Sequence, residues 1–112
     1  MRLSTAIRKG AKMKPQAHNG SSYPKQSCVI QAALDGYGVP AVILTSYNPS
    51  ETDYTRATVI WPMLSELVTN SPMELKEQMI DVLWRLNDLS KWSREQIADW
   101  VEEQEIKRGA IV

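Results

Sequence analysis

The sequence predicts a mainly α domain of about five helices. Three observations lead there. Apolar residues recur at helical spacing over much of the chain. Ser-x-x-Glu/Gln capping boxes stand at 71–74 and 93–96. The length, 112 residues, fits one small domain, 1–112, with a modest core.

In chain order, Ser4 is expected to cap a first helix that runs to about Met13, before Pro15. Leu3, Ala6, Ile7, Gly10 and Ala11 share one face, with Arg8, Lys9 and Lys12 opposite. Gly10 costs this helix about 1 kcal/mol relative to Ala, and close approach by another helix would compensate. Residues 15–26 read as a loop from their Pro, Gly, Ser and Asn content. Ser27 starts a second, apolar helix through Cys28, Val29, Ala32 and Ala33 to Tyr37, ended by Gly36 or Gly38.

Residues 39–61 support two readings. β-branched runs on either side of Asn48-Pro49-Ser50 suit a short hairpin. A helix capped by Ser50 or Asp53 puts Tyr54, Ala57, Thr58 and Trp61 on one stripe, and this is preferred. Pro62 opens a short helix to Val68. Ser71-Pro72-Met73-Glu74 then opens a central helix whose stripe is Leu75, Met79, Val82, Leu83 and Leu86, widened by Ile80 and Trp84. Ser93-Arg94-Glu95-Gln96 opens the last helix. Ile97, Trp100 and Val101 point inward, and Glu95, Asp99, Glu102 and Glu103 outward. Lys107 and Arg108 near its end suit the helix dipole.

The formal charge is zero, yet it is sharply divided. Residues 1–34 hold six cations (Arg2, Arg8, Lys9, Lys12, Lys14, Lys25) and no acid. The remaining residues hold seven cations and thirteen acids. A basic segment binds something anionic, either nucleic acid or the acidic half of this or another chain. Cys28 is the single cysteine, so no intrachain disulfide forms. No apolar run approaches the length of a transmembrane helix. The basic, amphipathic start lacks a secretory apolar core, and a cytoplasmic protein is expected.

Sharper chemistry finds little support. One Cys and one His do not make a zinc set. A Cys28–His18 dyad is formally available for hydrolase-type chemistry, but apolar helix flanks Cys28. The five glycines form no phosphate loop. The carboxylates of the last helix face outward, where burial does not tune them. Those same carboxylates would repel phosphates, so this helix is a poor groove reader. A nucleic-acid footprint would instead use Arg2, Arg8, Lys9, Lys12 and Lys14, with Lys25 and Tyr23 in the following loop. Basic-to-acidic pairing could also align two copies of the chain. For that reading the candidate interface residues are Trp61, Trp92, Glu95, Asp99 and Glu102, the two Trp lying at element edges.

The tail from Arg85-Leu86-Asn87-Asp88 through Trp92-Ser93-Arg94-Glu95 to Ile97-Ala98-Asp99-Trp100-Val101 resembles a recurring ending of small uncharacterised bacterial and phage proteins. Their pattern is similar to "HLND-x-H-x-W-T-R-E-x-I-A-D-W-V". The opening Leu3–Ala11 with Pro15-Gln16, and the segment Ser27–Leu34, are similar to theirs as well. The likeness touches about half the chain. Some of these relatives carry Cys-Pro-x-Cys before the first tail helix and two tail His, a set that suits zinc. The matching positions here are Ser71, Glu74, Arg85 and Ser90. The resemblance thus implies a mobile-element protein without that metal, and it implies no activity. The expectation is a non-enzymatic accessory or interaction protein without cofactor, in contact with a protein partner or its own copy. The alternative is a nucleic-acid-binding accessory protein using the basic first helix.

Overall fold

The structure, a computed structural model, describes residues 1–18, 25–39, 49–68, 71–72 and 76–109, with 49–52 described by backbone alone. Among them are five α-helices and one two-stranded antiparallel sheet: α1 (Leu3–Ala11), α2 (Val29–Tyr37), α3 (Pro49–Ile60), β1 (Leu67–Val68), β2 (Glu77–Gln78), α4 (Met79–Asp88) and α5 (Arg94–Lys107). A 3-10 turn, Pro62–Ser65, follows α3. The mainly α domain expected from the sequence is what forms.

α1 is the hub. Its largest contacts are with α2 and then with α5. The α1–α2 pair is antiparallel and very close. A Cβ added at Gly10 would lie 1.7 Å from the Ala32 carbonyl oxygen, and one at Gly36 would lie 2.0 Å from that of Ala6. The two glycines therefore let each backbone sit on a carbonyl of the other, the compensation anticipated for Gly10. Leu3, Ile7, Ile30 and Leu34 fill the rest of this contact and are fully buried. At the far end Gly38 closes α2 in the left-handed conformation, φ 101°, and its N–H reaches the Leu34 and Asp35 carbonyls.

Several boundaries differ from expectation. Arg2, not Ser4, is the N-cap of α1, because the Ser4 hydroxyl is taken by a distant carboxylate. Cys28, not Ser27, caps α2, in a reciprocal box with Gln31. The preferred helix at 49–60 forms, so this half of 39–61 holds no hairpin strand, and residues 40–48 lie outside the described residues. Among the described residues the β structure pairs Leu67 with Gln78 and Val68 with Glu77. It displaces the helical reading of 66–68. The Ser71–Glu74 box does not start a helix at Pro72; α4 begins at Met79 behind Gln78, and residues 73–75 lie outside the described residues. Nor is α4 central. Trp84 is 38% exposed, with the Arg85 guanidinium 5.5 Å from its ring centre, instead of lying in the core. The second box behaves as read: the Ser93 hydroxyl accepts from the Gln96 N–H, and Ile97, Trp100 and Val101 are buried.

Gly10→Ala and Gly36→Ala are each expected to destabilise the domain by about 2 kcal/mol or more, because the facing atoms are backbone and cannot step aside. Gly38→Ala meets open space and should cost only the left-handed strain, about 1 kcal/mol. Urea unfolding midpoints check the order.

Candidate functional site

The charged residues of α1 and α5 define the surface of interest. The two helices run antiparallel, and three charged contacts fix their register. At the start of α1, the Ser4 hydroxyl donates to Glu105 Oε1 at 2.5 Å. The Ser4 backbone N–H points at the other Glu105 oxygen, 3.5 Å away. Midway, the Arg8 guanidinium lies 2.7 Å from Asp99 and 2.5 Å from Glu102. At the end of α1, Arg94 Nη2 donates to the carbonyls of Ala11 (3.2 Å) and Lys14 (2.6 Å). Its Nη1 donates to the Ser27 hydroxyl (2.7 Å) and carbonyl (3.2 Å). Glu105 and Arg94 are both buried. An anion at the N-terminus and a cation at the C-terminus of α1 is the arrangement its dipole favours.

These contacts shift protonation in opposite senses. Hydrogen bonding to Asp99, and then to Glu102, raises the Arg8 pKa above its usual range. Burial lowers that of Arg94, although a guanidinium keeps its proton at any ordinary pH.

The other sequence candidates divide into engaged and exposed. Lys14 is 2.6 Å from Asp35, a buried carboxylate. Arg2, Lys9, Lys12 and Lys25 are exposed, with no ion pair among the described residues. Glu95 and Asp99 are exposed, and Glu102 is partly covered at the Arg8 contact. Trp61 is buried, 5% exposed, so it is a core residue instead of an outward edge. Tyr37 meets its ring edge-on at 5.4 Å, and its indole N–H donates to the Met1 carbonyl. Trp92 is half-buried against the core, and its carbonyl accepts from Gln16.

A groove of about 700 Å³, open to solvent, lies where the start of α1 meets the end of α3. Leu3, Ile60, Trp61 and Met63 give it apolar walls; Arg2 and Glu105 supply its charges. Sequence reasoning missed both this groove and the inward roles of Arg94 and Glu105. One signal for the latter was present: Arg94, Ala98, Val101 and Glu105 recur at i, i+4, i+7 and i+11, a single stripe of the last helix.

Cys28 and His18 are placed apart from this groove. The His18 ring Nδ1 is 2.8 Å from the Asn87 carbonyl, so in the neutral ring it carries the proton. Burial pushes the Cys28 thiol up from its ordinary 9.0 to about 11, away from the thiolate a nucleophile needs. Among the described residues no group of three His, Cys, Asp or Glu is placed to hold a metal ion. Arg85 meets Glu77 at 2.9 Å. Among the described residues no helix is long and apolar enough to cross a membrane.

Two outcomes follow. Arg94→Ala should cost about 3 kcal/mol, since it strips partners from buried acceptors, whereas Glu95→Ala should change stability by less than about 0.5 kcal/mol; chemical unfolding measures both. Because the folded thiol holds its proton more tightly than the unfolded one, stability is complete below pH 9 and falls as pH rises towards 11. The loss is about 2 to 3 kcal/mol. Burial likewise raises the pKa of Tyr54, adding loss in the same direction above pH 10. Cys28→Ala should therefore flatten the stability curve between pH 9 and 10.

Comparison of the chain with protein-family models, with curated proteins and with solved structures finds no match in any of the three.

Proposed function

We propose that this chain is a non-enzymatic interaction protein that works through protein–protein contact, an accessory component of mobile-element type. The observation that carries the reading is the seat of Arg8 between Asp99 and Glu102. The centre of the basic helix is committed to an acidic protein surface, so the helix is already shaped to pair with carboxylates on a neighbouring helix. Exposed apolar side chains on other elements, Leu67 (68%), Val59 (76%) and Trp84 (38%), add contact area of the kind a protein partner covers. The mobile-element setting rests on the tail resemblance.

Enzymatic chemistry is disfavoured by the same geometry. The half-buried thiol is held protonated, and the buried charges Arg94 and Glu105 already have partners that anchor a helix. Nucleic-acid binding is the second reading, favoured by the exposed cations Arg2, Lys9, Lys12 and Lys25. Against it, the carboxylates of Asp99 and Glu102 lie against the same helix, and with the exposed Glu95 and Glu103 of α5 they would repel phosphates.

Titration against a labelled DNA duplex, read by fluorescence anisotropy, separates the two. No binding tighter than about 100 µM is expected at roughly 150 mM salt. Tighter binding that disappears in Lys9→Glu/Lys12→Glu would overturn the protein-contact reading in favour of nucleic acid.

A further inference from the structure

We infer that the face shared by α1 and α5 is a contact surface for a second copy of this chain. The inference rests on the protein-contact reading and names its partner. Arg2, Thr5, Lys9 and Lys12 are all exposed, and their spacing puts them on one stripe along α1. On α5, Glu95, Asp99, Glu103 and Ile106 are exposed and follow a stripe beside it, with Ile106 57% exposed. The molecule thus carries a cationic and an anionic row side by side, joined at the Arg8 contact.

Register makes the two rows self-complementary. Within the chain, the start of α1 meets Glu105, its middle meets Asp99 and Glu102, and its end meets Arg94. A two-fold axis parallel to the helices lays α5 of the second copy antiparallel on α1 and keeps those heights. Lys12 then stands opposite the partner's Glu95, and Lys9 opposite the partner's Asp99 and Glu103. Ile106 of the partner subunit arrives at the start of α1, where Leu3, Ile60, Trp61 and Met63 wall the groove. The same pairings recur across the axis, so each copy presents both rows. α1 is only about 14 Å long, and a standard interface buries roughly 800 Å² per partner. The dimer is accordingly weak and depends on charge.

Sedimentation velocity over a concentration series, up to on the order of 1 mM, tests this. A reversible dimer is expected whose Kd rises about tenfold between roughly 50 and 300 mM salt. Lys9→Glu/Lys12→Glu and Glu95→Lys/Glu103→Lys should each be monomeric, because each sets like charges face to face. An equimolar mixture of the two variants should recover the dimer. All four positions are exposed, and matching circular dichroism checks that both variants fold. A wild-type chain that stays monomeric at low salt overturns the inference, as does a dimer indifferent to both reversals. Duplex DNA binding would sink the protein-contact reading beneath it; a monomer that also ignores DNA sinks the second-copy inference alone.

Discussion

Everything in this fold is arranged around the way α5 holds the two ends of α1. Glu105 meets the N-terminal N–H and hydroxyl of Ser4, and Arg94 gathers the Ala11 carbonyl at the other end of α1 and the Lys14 carbonyl just beyond it. Each of these charges is buried, and each would be costly to bury alone. Together they satisfy backbone groups that a nine-residue helix cannot satisfy itself. The Arg94 bonds to Ser27 extend the same grip to the segment that leads into α2. The Arg8 contact with Asp99 and Glu102 is exposed and contributes less, and it lies in the register that the two buried contacts fix.

Close packing completes the arrangement from the opposite side. α2 reaches α1 through Gly10 and Gly36, where carbonyl oxygens occupy the space side chains would need. The short helix α1 is therefore fixed by polar contacts on one flank and by backbone contact on the other. α3, the 3-10 turn and α4 add core around this three-helix centre, with Ala57, Leu64 and Leu83 fully buried.

The legible parts of the fold are those whose signals are local. The Ser93 box, the apolar stripe of Ile97, Trp100 and Val101, and the close approach at Gly10 depend on spacing and sterics within a few residues. The failures are equally physical. Ser4 and Ser71 both look like caps, but a cap competes with any stronger acceptor or other backbone path. Ser4 donates to a carboxylate 101 residues away, and Ser71 precedes a strand instead of a helix. Two-residue strands such as Leu67–Val68 carry no periodicity to detect. Trp84 fits the helical stripe yet lies at the rim, partly in water, with the Arg85 guanidinium over its ring. At the site, sequence marked the cations and the acids, but which were mated to one another was decided by long-range register.

The reach of Arg94 also bears on how the chain matures as it is synthesised. Its acceptors at Ala11, Lys14 and Ser27 precede it by 83, 80 and 67 residues, and Glu105 lies 101 residues beyond Ser4. The glycine contact between α1 and α2 can form once residue 36 has cleared the ribosome, but both ends of α1 stay wet until the last helix emerges. Contacts of such long sequence separation carry a larger loop-closure cost than the α1–α2 contact, and they are the ones that slow folding. The Gly10–Gly36 approach joins residues much closer in sequence, so it is the part of the α1 packing that can form without α5.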